Sequence, residues 1–418
     1  MAMWGSGRRY RSRLLTYFMA FGTVFITIAM VQYPKEAFDS AIMGLNLWWN
    51  VVFPSLLPFF ILSEILMGLG VVHFIGALLE PLMRPVFNVP GVGAFALSMG
   101  LASGYPMDAV ITSNFRKNKL CTSVEAERLL SFTNTADPLF MFGAVAVGMF
   151  GMPELGVTIA LAHYLSSFVV GVIFRYHGRS RDQNTEDKQT PSGNIIVRAF
   201  RALYQARQED RRSMGQLLGD AVKSSMNTIL LIGGFIIVFS VFLRIVSVIG
   251  ISALLNYAFG LTLSAIGFST DLAPSLVSGL FEIDIGTMAA SQANAPLVQK
   301  VAVAGAIIAW SGLSVHGQVA SIVIESGIRM TPYIVGRFLH AILAAIFTVG
   351  LMSFGGDIIS SCFSVPVLLI PPVSVNSSAF WMTRLEQTGY QLLLLIGLLT
   401  VLSFSVHCIR EIRSFVRR

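Results

Sequence analysis

Four short runs of this chain gather side chains that could recognise a small charged molecule: Ser103, Gly104 and Tyr105; Asn134 and Thr135 with Asp137; Ser311 and Gly312 with Ser314 and His316; and Glu282 with Asp284. Hydroxyls, an amide and glycine backbone that a ligand can approach closely are the donors an anion needs. His316 joins them when protonated, its unperturbed pKa being about 6.5; it serves equally well as a helix-to-helix hydrogen bond. Asp137, Glu282 and Asp284 are candidates for ion coupling. For Glu282 and Asp284 two readings stay open, a cation or proton site and a solvated turn beside Asp271 and Pro274. Glu64, between apolar neighbours, fits either a functional carboxyl or a helix contact. The chain contains no H-E-x-x-H and no G-x-S-x-G, and Cys121, Cys362 and Cys408 form no C-x-x-C pair. The expectation is a binding protein and not an enzyme, with no catalytic residue, metal or cofactor.

The elements that hold these residues are membrane helices. Of 418 residues, 54% are hydrophobic and 12% charged, where soluble domains carry roughly 25% charge. Apolar runs of about 20 residues recur, each long enough for a hydrocarbon core of about 30 Å. Spans are predicted at 14–33, 45–70, 129–151 and 155–174, then at 228–249, 251–268, 301–324, 335–354 and 391–406. The net charge of +7 reflects basic cytoplasmic segments, not nucleic-acid binding. Arg8, Arg9, Arg11 and Arg13 at one end, and Arg410, Arg413, Arg417 and Arg418 at the other, predict cytoplasmic termini. Residues 175–223 form a third basic segment, in which Ile196, Phe200, Leu203 and Tyr204 predict a membrane-surface helix over 195–214. Arg116, Lys117, Lys119 and Arg128 read as solvated loop ends, with a role in attracting anions left open. Trp48 and Trp49 fit an interfacial belt.

The two halves repeat one another. Gly100 and Leu101 open a polar break through Asp108, and Gly279 and Leu280 open another through Thr287; some thirty residues on, residues 131–138 and 310–318 break a second apolar run in each half. Gly104, Gly286, Gly312 and Gly317 permit unusual backbone, while Pro106 and Pro138 stop helix propagation. Unwound backbone at membrane depth needs polar partners, from protein, water or a substrate, and half-helix N-termini favour an anion. The predicted fold is all-α: a polytopic membrane protein of two inverted repeats, each with a re-entrant hairpin and a broken helix meeting near the midplane. The predicted divisions are 1–44 (basic segment and first helix), 45–174 (first repeat), 175–224 (linker), 225–356 (second repeat) and 357–418 (outer loop, last helix and basic tail).

Residues 54–60, the motif Leu101-Ala102-Ser103-Gly104-Tyr105-Pro106, the motif Thr133-Asn134-Thr135-Ala136-Asp137-Pro138 and residues 311–318 resemble the YlbJ family of sporulation integral membrane proteins, also called stage V sporulation protein V. This family lies among the nucleoside-recognition or Gate domain proteins, and the resemblance covers roughly residues 45–354. It implies a spore-forming bacterium, a place in the outer forespore membrane and transport of dipicolinic acid from the mother cell toward the forespore. Paired Gate domains more distantly resemble concentrative nucleoside transporters, whose nucleoside and sodium residues find no residue-by-residue match here. Dipicolinate, a flat ring with two carboxylates, would want hydroxyl and N–H donors and an apolar slot, for which Tyr105, Phe132 and Phe281 are the candidates. The other functions carried are transport of a nucleoside or another small organic anion, and a non-transporting membrane scaffold. The partners expected are thus the anion and the lipid bilayer; whether copies assemble into a homo-oligomer is left open.

Overall fold

The computed structural model describes Tyr17, residues 20–178 and residues 195–354. The predicted span at 391–406, the arginines of both termini and residues 181–194 of the linker lie outside the described residues. Sixteen α-helices follow one another within them. In the first half these are α1 (Ala20–Gln32), α2 (Pro34–Leu47), α3 (Phe53–Gly68), α4 (Val71–Leu82), α5 (Gly93–Ser103), α6 (Met107–Lys117), α7 (Ser123–Thr133) and α8 (Leu155–Phe174). In the second they are α9 (Ile195–Asp210), α10 (Met214–Val248), α11 (Ile251–Ala265), α12 (Ala273–Phe281), α13 (Ile283–Gln292), α14 (Leu297–Trp310), α15 (Gly312–Val323) and α16 (Met330–Phe354). Wider π-helical turns occupy Trp48–Val52, Met83–Phe87 and Phe140–Met149.

Leu155–Phe174, Met214–Val248, Leu297–Ser326 and Met330–Ser353 are long and apolar enough to cross a bilayer. α2 with its π turn and α3 would make a fifth span, bent by 53° where the π turn meets Pro54 and Pro58. The span at 129–151 carries the expected break, α7 stopping at Thr133 and the π segment starting at Phe140. One expected span is changed by the structure. α11, with 15 residues, extends only about 22 Å and is too short to cross. α10 begins at Met214, well before the predicted Thr228, because the capping box of Ser213 and Gln216 starts it there. The surface helix α9 accordingly ends at Asp210, where Arg212 forks onto the carboxylate at 2.6 and 2.7 Å and holds Asp210 below the usual carboxylate range. α9 lies along α4, and Arg198 pairs with Glu80. Trp48 is buried and donates to Ile229 O at 2.9 Å, so it locks α2 to α10 and does not stand in an interfacial belt; Trp49 is exposed.

Contacts at helix ends fix how the repeats run. Glu127 near the start of α7 pairs with His177 just past α8 and with Arg329 just before α16. Lys117 at the end of α6 pairs with Glu325 just past α15. These ends therefore share one face, here called the near face, which is also where α8 hands over to the linker. α6 ends there, so the hairpin α5–α6 opens toward the near face and α7 enters from it. α15 reaches the same face, so α14 starts from the far face and the hairpin α12–α13, joined to α14 by a short turn, opens toward the far face. Each half is then a hairpin, a broken helix (α7 with the π segment; α14 with α15) and a full span (α8; α16), and the two halves are inverted. The largest apolar core joins them, running from Val52 and Leu56 through Met141 and Ile159 to Ile229, Ile283 and Ile307.

Candidate substrate and ion site

Close backbone packing places the two hairpin tips. Gly100 in α5 lies where a Cβ would come within 2.2 Å of Thr133 O, and Gly104, at φ +65°, where one would meet Asp137 Oδ2 at 2.7 Å. The first tip is thereby pressed onto the break in the first broken helix, and Tyr105 reaches across to the other repeat, its hydroxyl donating to Ile308 O at 2.9 Å. In the second hairpin, a Cβ on Gly286 would fall 2.3 Å from Gly279 Cα, so α12 and α13 touch backbone to backbone. Glu282 turns the chain in an extended conformation and caps α13. Across from it Ser311 and Gly312 both have φ of 70°, and Gly312 fits against Phe281 O and Glu282 with no room for a side chain.

The first break is satisfied almost wholly by protein. Asn134 donates to Asp108 Oδ1 at 2.7 Å and accepts from the Tyr333 hydroxyl at 2.9 Å. Thr133 donates to Asp108 Oδ2 at 3.1 Å. The Ala136 amide donates to His163 Nε2 at 3.1 Å and its carbonyl accepts from the Tyr164 hydroxyl. Asp137 accepts from Phe140 N at 2.8 Å and so starts the π segment. Thr135 is buried with its hydroxyl 3.4 Å from Thr133 O.

Arg337 of α16 is fully buried between the two breaks. It donates to Ser131 O at 2.9 Å, to Asn134 O, and at a longer 3.4 Å to Ala309 O. These carbonyls belong to the C-terminal ends of α7 and α14, where partial negative charge collects. One cation therefore neutralises both half-helix ends.

A cavity of about 80 Å³ lies where the tips and breaks converge. Its polar wall is Ser103, Asp137, Glu282, Asp284, Ser314 and Gln318, and its aromatic wall is Phe60, Tyr105, Phe140 and Phe235. Ser314 donates to Glu282 Oε2 at 2.6 Å. Asp284 is buried, and its Oδ1 has no hydrogen-bond partner.

Of the residues marked in the sequence, Ser103, Tyr105, Asp137, Glu282, Asp284 and Ser314 line this cavity. Gly104 and Gly312 shape its edges. Asn134, Thr135 and Ser311 stand behind it, Ser311 donating to Trp310 O at 2.5 Å. His316 packs between Trp310 and Tyr333, tilted on the first and edge-on to the second, its Nδ1 donating to Gly312 O at 2.7 Å and its Nε2 unpartnered. The aromatic slot differs from expectation: Phe132 stacks on Phe87 and Phe281 meets Phe242, which turns both away, and Phe60, Phe140 and Phe235 take their place. Asp108, Tyr333 and Arg337 were not singled out. A lone arginine within the apolar run 330–354 was the available signal. Arg128 is no loop end; it is buried, donating to Asn88 O and His177 O. Glu64 is a helix contact, accepting from Ser224 at 2.9 Å.

Comparison with known proteins gives this arrangement relatives. Residues 49–165 match the Gate, or nucleoside recognition, family model. Solved structures of CNTnw are similar at low identity: an inward-facing substrate-bound state is 12% identical, with 85% of this chain and 88% of that chain covered and a TM-score of 0.43. An outward-facing state of a CNTnw double variant is 13% identical, covering 85% and 87%, with a TM-score of 0.46. The sporulation integral membrane protein YlbJ of Bacillus subtilis (strain 168) is 45% identical over 336 residues, which is 80% of this chain and 82% of that protein. With that identity across most of both sequences, the chain belongs to the YlbJ family of sporulation integral membrane proteins.

Proposed function

We propose that this protein is a secondary transporter that moves an aromatic dicarboxylate, dipicolinate, across the outer forespore membrane, with its termini and near face in the mother-cell cytoplasm. The observation that carries the transport reading is the convergence of two inverted hairpin tips and two broken helices on one cavity. Such a site can open to either face as one repeat rocks against the other. The aromatic wall of Phe60, Tyr105, Phe140 and Phe235 suits a flat ring, and Ser103, Ser314 and Gln318 can donate to carboxylates.

Three acidic side chains in the same wall work against a dianion unless cations or protons compensate them. That wall favours a second reading, a nucleoside, whose hydroxyls and N–H groups donate to carboxylates. Uptake into vesicles carrying the purified full chain separates the readings: dipicolinate should accumulate, with phthalate weaker and uridine excluded. Uridine uptake alone would establish the second reading, and uptake of none of the three would favour a scaffold.

Substitutions locate recognition. Asn134→Ala takes the amide donor from Asp108 Oδ1 and the acceptor from the Tyr333 hydroxyl, while Asp108 Oδ2 keeps Thr133; at a loss of about 1–3 kcal/mol, it should lower dipicolinate uptake about tenfold or more while the protein still inserts. Lys117→Ala removes an exposed ion pair with Glu325, worth about 0–1 kcal/mol, and should change uptake less than about threefold, mainly at low salt. Uptake lost with Lys117 and retained without Asn134 would move the site to the near-face loop.

A further inference from the structure

Glu282 and Asp284 sit two residues apart at the second hairpin tip, both 3% exposed and both in the wall of the same cavity. One Glu282 oxygen is taken by Ser314 and the other faces the Asp284 amide at 3.5 Å. Asp284 lines the cavity, and its Oδ1 is buried without a donor. Two neighbouring carboxylates, withdrawn from water, cannot both keep a full negative charge without a cation between or beside them. A metal ion would need several oxygens arranged around it. Among the described residues no group of three or more acidic, histidine or cysteine side chains has such an arrangement, and both Glu282 oxygens already face a donor. The smallest cation fits: a proton needs one oxygen to bind and one to accept.

We propose that Glu282 and Asp284 hold one exchangeable proton between them and that this proton is the coupling ion of the transport cycle. In this step one carboxylate oxygen takes a proton from water on one side of the membrane, forming an O–H bond that hydrogen-bonds to the partner carboxylate. The bond breaks when the site opens to the other side, where water accepts the proton. The coupling role rests on the transport reading above; the proton site itself does not.

The other titratable groups around the pair are Asp137 and Tyr105 from the opposite tip and break, Tyr164 beside them, His316 on α15 and Arg337 on α16. Arg337 turns its Nη1 and Nη2 onto carbonyls, its Nε having no hydrogen-bond partner, and α10 brings only Ile232 and Phe235 to the cavity. Asp137 already accepts from Phe140 N. The pair is thus the place in this wall where two acids are neighbours in the chain and share one side.

Infrared spectroscopy of the full chain in lipid reads the proton without any substrate. A protonated-carboxyl band should be present at neutral pH, disappear in alkali, and be missing from the spectra of both Glu282→Gln and Asp284→Asn. If either variant misfolds, titration of the unsubstituted chain with and without sodium replaces it: an unchanged band supports the proton, and a band that falls as sodium is added at fixed pH overturns it in favour of a metal cation. Absence of any such band also overturns it. In proteoliposomes, an inward gradient of one pH unit should raise dipicolinate accumulation about tenfold if one proton moves with each substrate. A band with the expected behaviour and no dipicolinate uptake would keep the proton site and reject the transport reading. Uptake indifferent to the pH gradient would reject the coupling.

Discussion

Replacing Arg337 with methionine should leave the chain unable to transport and markedly easier to denature. The substitution keeps volume and helix propensity but strands Ser131 O and Asn134 O, each buried and each then without its donor. An unsatisfied buried carbonyl costs about 1–3 kcal/mol, so the two together remove about 2–6 kcal/mol, and the ends of α7 and α14 lose their shared counter-charge. Arg337→Lys should recover part of the stability, because a single ammonium restores the charge but cannot fork across both helix ends. Thermal denaturation in detergent and vesicle uptake, measured on both variants, check this. Normal melting of the methionine variant would mean that the two broken helices are held by apolar packing alone.

The second large effect is expected at Gly286. A methyl group there would lie 2.3 Å from Gly279 Cα and 2.5 Å from Gly279 N, and backbone cannot rotate aside as a side chain can. Gly286→Ala should force α12 from α13, at about 1–3 kcal/mol, and shift Glu282 at the tip. A displacement near 1 Å at a positioned group reduces rates about a hundredfold, so uptake should fall by about that factor. Gly234 on α10 has nothing within 4 Å of its added methyl group, and Gly234→Ala should be neutral or slightly stabilising, since alanine favours a helix interior by roughly 0.5–1 kcal/mol. Equal behaviour of the two variants would show that the hairpin arms are free to separate.

The breaks were legible because apolar runs in a membrane helix have few reasons to contain Gly-Leu followed by acids and prolines, and the same order recurred in both halves. Their inversion was expected from the way such repeats are commonly built, and not from the predicted spans. What those breaks do with their backbone was not legible. The unwound groups at Asn134 and Ala136 looked available to a substrate, yet His163, Tyr164 and Arg337, distant in sequence, supply their partners. Arg337 stands alone in an apolar run, and only the tertiary structure shows its Nη1 and Nη2 turned onto helix-end carbonyls. Which aromatic faces the cavity is equally a tertiary matter. Phe132 and Phe281 stand beside the right motifs, but helix rotation turns them onto Phe87 and Phe242. Trp48 and Trp49 show the limit most simply, two adjacent indoles of which one is core and the other exposed.

The hairpin arms have 9 to 11 residues each, which at 1.5 Å per residue is about 14–17 Å, half of a 30 Å hydrocarbon core. A site at their tips is insulated from either aqueous side by only half the usual dielectric thickness, so the transmembrane voltage falls steeply across a short path at whichever side is shut. Each net elementary charge moved across the whole membrane is worth about 2.3 kcal/mol per 100 mV. A dianion carried with one proton still bears one negative charge, and its flux toward the more positive side is helped by that amount; a dianion carried with two would be blind to voltage. Half-length helices thus make the number of protons on the carboxyl wall an electrical quantity, since it decides whether transport draws a current.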